Sequence, residues 1–89
     1  MTCNIQRSAT AGSLVFTLSG RLNVESVKEL ERVLELEANK SRIVLDLKEV
    51  TLVDRDAVQR LVSNEADGIT LLNCPAYIRE WMTREGDQQ

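Results

Sequence analysis

Arg42-Ile43-Val44-Leu45-Asp46-Leu47 is the most strand-like stretch of the chain, and Lys48-Glu49-Val50-Thr51-Leu52-Val53 carries it into Asp54-Arg55-Asp56-Ala57-Val58. It is apolar on nearly both faces, as a strand covered by helices on one or both sides is. From Val58 the period changes. Val58, Leu61, Val62 and Ala66 recur at helical spacing, and Asp67-Gly68 supplies a left-handed stop. A buried strand that passes into a helix with almost no loop opens a crossover unit. Ile69-Thr70-Leu71-Leu72 is therefore expected to pair parallel to the first strand through a right-handed connection.

The same logic extends in both directions. Upstream, Asn23 is placed to cap a helix from Val24 to about Ala38, with Val27, Leu30 and Leu34 as its apolar stripe, widened by Val24 and Val33. Asn39-Lys40-Ser41 ends it. Before it, Leu14-Val15-Phe16-Thr17-Leu18 reads as a strand, and the alternation of Cys3, Ile5 and Arg7 reads as a weaker one. The small residues Ala9 to Ser13 join the two in an antiparallel hairpin. Downstream, Pro75 suits the first turn of a last helix, with Asn73 or Cys74 as cap and Ile78, Trp81 and Met82 as its stripe. Residues 85–89 are expected to fray. The order β-β-α-β-α-β-α gives one small α/β domain with a mixed four-stranded sheet and helices packed on it.

Composition narrows the function. Eighty-nine residues suit a single small domain, and a net charge of −3 argues against a nucleic-acid binder. With no histidine, the commonest general base and the commonest metal ligand are both missing. Apolar runs such as Ile43-Val44-Leu45 fall far short of the ~20 residues that span a membrane, so no membrane insertion is expected. Residues 1–7 are too polar for a secretory signal, and Cys3 and Cys74 read as reduced thiols. A cytoplasmic location follows from these readings as an expectation.

The residues able to do chemistry are few. Cys74 stands just ahead of a helix start, which would favour a thiolate, and a small thiol-dependent enzyme or redox protein is the competing class. A buried small hydrophobe is the plainer role for it. Asp46, Asp54 and Asp56 form a conceivable oxygen site for a hard cation, but Asp54 and Asp56 sit where carboxylates cap helices. Along the first helix, Glu25–Lys28 and Glu29–Arg32 are spaced to pair at i,i+3. Phe16, Tyr77 and Trp81 are too scattered to stack on single-stranded nucleic acid, and the glycines form no phosphate loop. No catalytic set, metal site or cofactor site emerges. The junction from Val50 to Val58 remains, since sites in open α/β sheets lie beyond the carboxyl ends of strands.

With that junction in view, the whole chain resembles the STAS domain of bacterial anti-sigma-factor antagonists. Leu18-Ser19-Gly20-Arg21-Leu22-Asn23 is similar to the family's Leu-x-Gly-x-Leu-Asp turn. Ile43-Val44-Leu45-Asp46-Leu47-Lys48-Glu49-Val50 is similar to its central strand, Val-x-Leu-Asp-Leu-x-x-Val. Val53-Asp54-Arg55-Asp56-Ala57-Val58 stands in place of the hallmark Ile-Asp-Ser-Ser/Thr-Gly-Leu. On this resemblance residues 1–89 form one STAS-like domain with a core of about 3–83 and a frayed 84–89.

The departure from the family pattern is informative. In members that act as phospho-switches, a partner kinase modifies the serine directly after the motif aspartate. The resemblance puts Arg55 at that position and Asp56 at the next, and neither accepts phosphate from a Ser/Thr kinase. Thr51 is a hydroxyl nearby, but it precedes the junction. Where a phosphate would add roughly −1.5 to −2, this chain has a fixed cation between two carboxylates.

The resemblance implies a non-enzymatic protein-protein interaction module, its partner-binding surface drawn from Asp54, Arg55, Asp56, Ala57, Val58 and Gln59, with Arg60 and Ser63 further along the helix. The implied partner is an anti-sigma-factor/kinase-like protein. A scaffold or adaptor subunit of a signalling or lipid-transport ABC complex, beside a transporter ATPase-like partner, is the alternative. Nucleotide binding at the junction and a weak homodimer are further expectations to be weighed.

Overall fold

The structure is a computed structural model that describes residues 3–87. Its elements are β1 (Cys3–Thr10), β2 (Ser13–Leu22), α1 (Val24–Glu35), β3 (Ile43–Val53), α2 (Arg55–Ala66), β4 (Thr70–Leu72) and α3 (Ala76–Asp87). The order β-β-α-β-α-β-α is the one expected from the sequence.

The sheet order is β1-β2-β3-β4. β1 and β2 are antiparallel, whereas β2–β3 and β3–β4 are parallel. Both crossovers step the same way along the sheet, so two right-handed connections place α1 and α2 on one face. α3 then packs chiefly against α2. Burial follows this arrangement. Leu14, Phe16 and Leu18 on β2 and Ile43, Leu45 and Leu47 on β3 are buried beneath the helices. The alternate residues Val15, Thr17, Val44 and Asp46 are only half-buried, so the second face of the sheet has no helix on it. The apolar residues on both faces of β3 thus serve a strand covered on one side.

Several elements end elsewhere than expected, for visible reasons. β2 continues to Leu22 because Gly20, at φ 92°, absorbs irregularities in its register against β3. α1 stops at Glu35, three residues short of Ala38, and Leu36 just past its end is 87% exposed. Val24 and Ala66, expected in the stripes of their helices, are exposed. The last helix continues through Asp87, where fraying from Glu85 was expected; Gln88 and Gln89 lie outside the described residues. α2 ends as expected: Gly68, at φ 105°, donates its N–H to Glu65 O at 3.1 Å, and Ile69 N–H donates to Asn64 O at 3.1 Å. These two bonds satisfy carbonyls that the helix end would leave unpaired.

The hairpin turn is tighter than the small-residue stretch suggested. Thr10 pairs with Ser13, so Ala11 and Gly12 alone form the loop, with φ values of 35° and 84°. Two positive φ angles define the type I′ turn, whose twist matches the strands and whose preferred pair is Asn-Gly. Alanine is poorly suited to the first position because its Cβ crowds the left-handed conformation. Ala11→Asn is expected to stabilise the domain by about 0.5–1 kcal/mol, measured as a higher denaturant midpoint at unchanged slope.

Candidate functional site

The parallel register of β2 and β3 builds one corner of the molecule. It sets Leu22 beside Val53, and each is followed by a single cap residue and then a helix. The Asp54 N–H donates to Leu22 O at 3.3 Å, so the two strand ends are tied together where α1 and α2 begin. Asn23 Oδ1 accepts the Ser26 N–H at 3.0 Å, and Asp54 Oδ1 accepts the Ala57 N–H at 2.9 Å. Each cap satisfies a donor that the helix start leaves free and contributes about 0.5–2 kcal/mol. The sequence pointed to Asn23 as the first cap and to Asp54 or Asp56 for the second helix, where Asp54 takes the role.

The residues expected to meet a partner divide into two groups. Asp54 is half-buried by its capping role, and Ala57 and Val58 are fully buried in the core. The inclusion of Ala57 and Val58 in the surface is therefore corrected: helical geometry turns them inward against the sheet. Arg55, Asp56 and Gln59 are exposed. Arg55 keeps 65% of its side chain in solvent.

Glu85 joins this group from the other side. Arg55 Nε lies 3.4 Å from Glu85 Oε1, and Gln59 Nε2 donates to the same oxygen at 3.1 Å. Glu85 has only 12% of its side chain exposed. The Gln59 hydrogen bond and the Arg55 charge hold its carboxyl below the usual carboxylate range, against the opposing effect of desolvation. Sequence reasoning missed this contact by leaving Glu85 in a frayed tail. Its signal was present, because Glu85 follows Ile78 by seven residues and Trp81 by four and so continues the inward stripe of α3.

Beside Arg55 a groove of ≈ 410 Å³ runs between α1 and α2. Val24, Val27 and Lys28 line one wall, and Asp56, Gln59, Arg60 and Ser63 line the other. Arg60 Nη2 bridges to Glu31 Oε1 at 2.6 Å. Among the described residues the ion pairs join one helix to another: Arg55–Glu85, Arg60–Glu31 and Arg79–Glu65. Neither pair expected along α1 is among them.

The other candidates have separate roles. Asp46 Oδ1 accepts from the Lys48 N–H at 3.0 Å and from Asn73 Nδ2 at 3.3 Å, away from the caps of α2. Among the described residues no three His, Cys, Asp or Glu side chains converge on a common point. Burial pushes the Cys74 thiol up, and the Arg79 charge only partly offsets it. That is the wrong direction for a thiolate, whatever the helix start contributes. No helix among the described residues is long and apolar enough to cross a membrane.

No model of a known protein family matches the sequence, and no curated protein matches it. Solved structures do. SpoIIAA, an anti-sigma factor antagonist in its unphosphorylated form, superposes with a TM-score of 0.72 at 14% identity, over 90% of this chain and 82% of its own. The chain has the SpoIIAA-like STAS fold. An anti-sigma factor antagonist from Mycobacterium paratuberculosis gives 0.72 at 18% identity, over 98% of this chain and 81% of its own. The STAS domain of an antisigma-factor antagonist from Rhodobacter sphaeroides gives 0.60 at 12% identity, over 81% and 87%. At such identities it is the fold that is shared, and the STAS fold accounts for the mixed sheet and the element order.

Two measurements test the corner. Asp54→Ala removes a cap from the central helix and is expected to lower unfolding stability by about 0.5–2 kcal/mol in denaturant titration. Glu85→Gln addresses the clasp. A carboxyl lowered in the folded state stabilises fully above its unfolded pKa, and that contribution is lost as pH falls through the lower folded value. The stability gap between wild type and Glu85→Gln should therefore be present near pH 7 and smaller near pH 3. A gap equally large at both would remove the clasp.

Proposed function

We propose that the domain is a non-enzymatic protein-binding module of the anti-sigma-factor-antagonist type, with a docking surface made by the first turns of α2 and the adjoining groove. The observation that carries this reading is the loop-free β3–α2 junction, which fixes the helix start and leaves Arg55, Asp56 and Gln59 facing solvent. Val24 and Leu52, 37% and 51% exposed, add apolar surface at the same end of the sheet. Mixed apolar and charged surface of this kind suits a regulated, non-obligate contact.

The partner is an anti-sigma-factor-like protein, by analogy with the names of the structural neighbours. Arg55 makes the surface permanently charged. A guanidinium does not take phosphate from a Ser/Thr kinase, so binding is set by affinity and partner concentration and not by modification at this position. The domain works in the cytoplasm in this reading.

Affinity capture from the native host, followed by titration of the purified partner, tests the surface. Arg55→Glu reverses the charge at the centre of the patch and is expected to weaken binding by at least about tenfold. Arg84→Glu, on an exposed position of α3, should bind like wild type. Equal affinities for all three proteins would place the docking surface elsewhere.

A further inference from the structure

Strand β1 is a free edge that its sequence guards with a single charge. At the other edge β4 is only three residues long, too short to template another chain. β1 has eight residues and pairs with β2 from Cys3 to Thr10 without a register shift. It contains no proline and no lysine, and Arg7 is its one charge. Of the usual devices that keep an edge from pairing, β1 carries only this one charge.

The turn fixes which amides are available. Thr10 and Ser13 flank a two-residue I′ loop and so form a hydrogen-bonded pair. In an antiparallel ladder such pairs alternate, so Ser8, Gln6 and Asn4 also bond inward to β2. Ile5, Arg7 and Ala9 therefore aim their N–H and C=O groups away from the sheet.

A hollow of ≈ 270 Å³ adjoins this edge, between the hairpin and the end of α1. Leu14, Phe16 and Val33 form its apolar lining, with Arg7, Glu37 and Leu36 around it. Leu36 is the most exposed large hydrophobic side chain described, at 87%. The patch thus offers an apolar knob, an apolar hole and two opposite charges, which is a self-complementary set under a two-fold axis.

We propose that the chain forms a two-fold homodimer in which β1 pairs antiparallel with β1 of a second copy, and Leu36 of each copy packs at the hollow of the other. Charge selects the register. Centring the pair on Arg7 would set two guanidinium groups directly opposite, which is destabilising. Centring it on Gln6 sets Arg7 opposite Ile5 of the second copy, leaves Gln6 facing Gln6, and keeps the cation on the same rim as Glu37. The outward amides of Ile5 and Arg7 then face each other as a hydrogen-bonded pair. β1 lies two strands from β3, so Arg55 and Gln59 stay open in the dimer and the inference does not rest on the proposed function.

Sedimentation equilibrium of the full chain from about 5 to about 500 μM is the first test. The mass should rise with concentration from the 10.0 kDa monomer towards twice that value. Arg7→Pro removes an outward N–H while sparing the β1–β2 ladder, and Leu36→Glu charges the knob. Each should weaken dimerisation more than about tenfold with an unchanged circular dichroism spectrum. In a Cys3→Ser, Cys74→Ala background, Gln6→Cys should cross-link across the axis on mild oxidation, and Ser8→Cys should not. A monomer at every concentration, a dimer untouched by both substitutions, or a cross-link through Ser8 in place of Gln6 would overturn the proposal.

Discussion

The parallel register of β2 against β3 is the constraint on which the rest of this domain depends. It aligns Leu14 with Ile43 and Phe16 with Leu45, so the large side chains of both strands point to the same covered face. Burying each such side chain is worth about 1.5–3 kcal/mol, and no other strand pair concentrates as many fully buried residues. The same register, carried past the irregularities at Gly20, brings Leu22 level with Val53. Two helices then start side by side at one end of the sheet because two strands end there together.

Charge in this molecule acts mostly between helices. Arg60 reaches Glu31 across the groove, Arg79 reaches Glu65, and Arg55 shares Glu85 with Gln59. Exposed pairs of this kind contribute about 0–1 kcal/mol each, too little to decide the fold. Their effect is orientation. The start of α2 is connected through Glu85 to the far end of α3, so the exposed corner and the last helix share side chains.

Much of this was legible in the sequence because it is local. Period changes at Leu22 and Val53, side-chain caps at Asn23 and Asp54, and the glycine stop at Gly68 are each written within a few residues. Contacts between helices were not legible in that way. The pairing of Arg55 with Glu85 spans thirty positions, and the sequence near Arg55 offered Asp54 and Asp56 as nearer partners. One is instead occupied as a cap and the other faces the groove. Ala57 and Val58 looked like part of a surface motif, yet helix rotation decides exposure residue by residue and turns both inward. The end of α1 was misplaced because Ala38 continues a helical composition while Leu36 is left exposed.

The absence of a loop between β3 and α2 has a consequence for how fast and how selectively the corner can bind. Ordering a flexible residue's backbone costs about 1–2 kcal/mol, and recognition loops commonly incur that loss at the moment of contact. Here the Asp54 backbone is held to Leu22 and its side chain holds the first turn, so the loss has already been taken in folding. If the corner docks a partner as proposed, that partner would meet a rigid edge. Encounter would then be limited by diffusion and by the charges around Arg55, and differences between partners would be expressed in how long they stay.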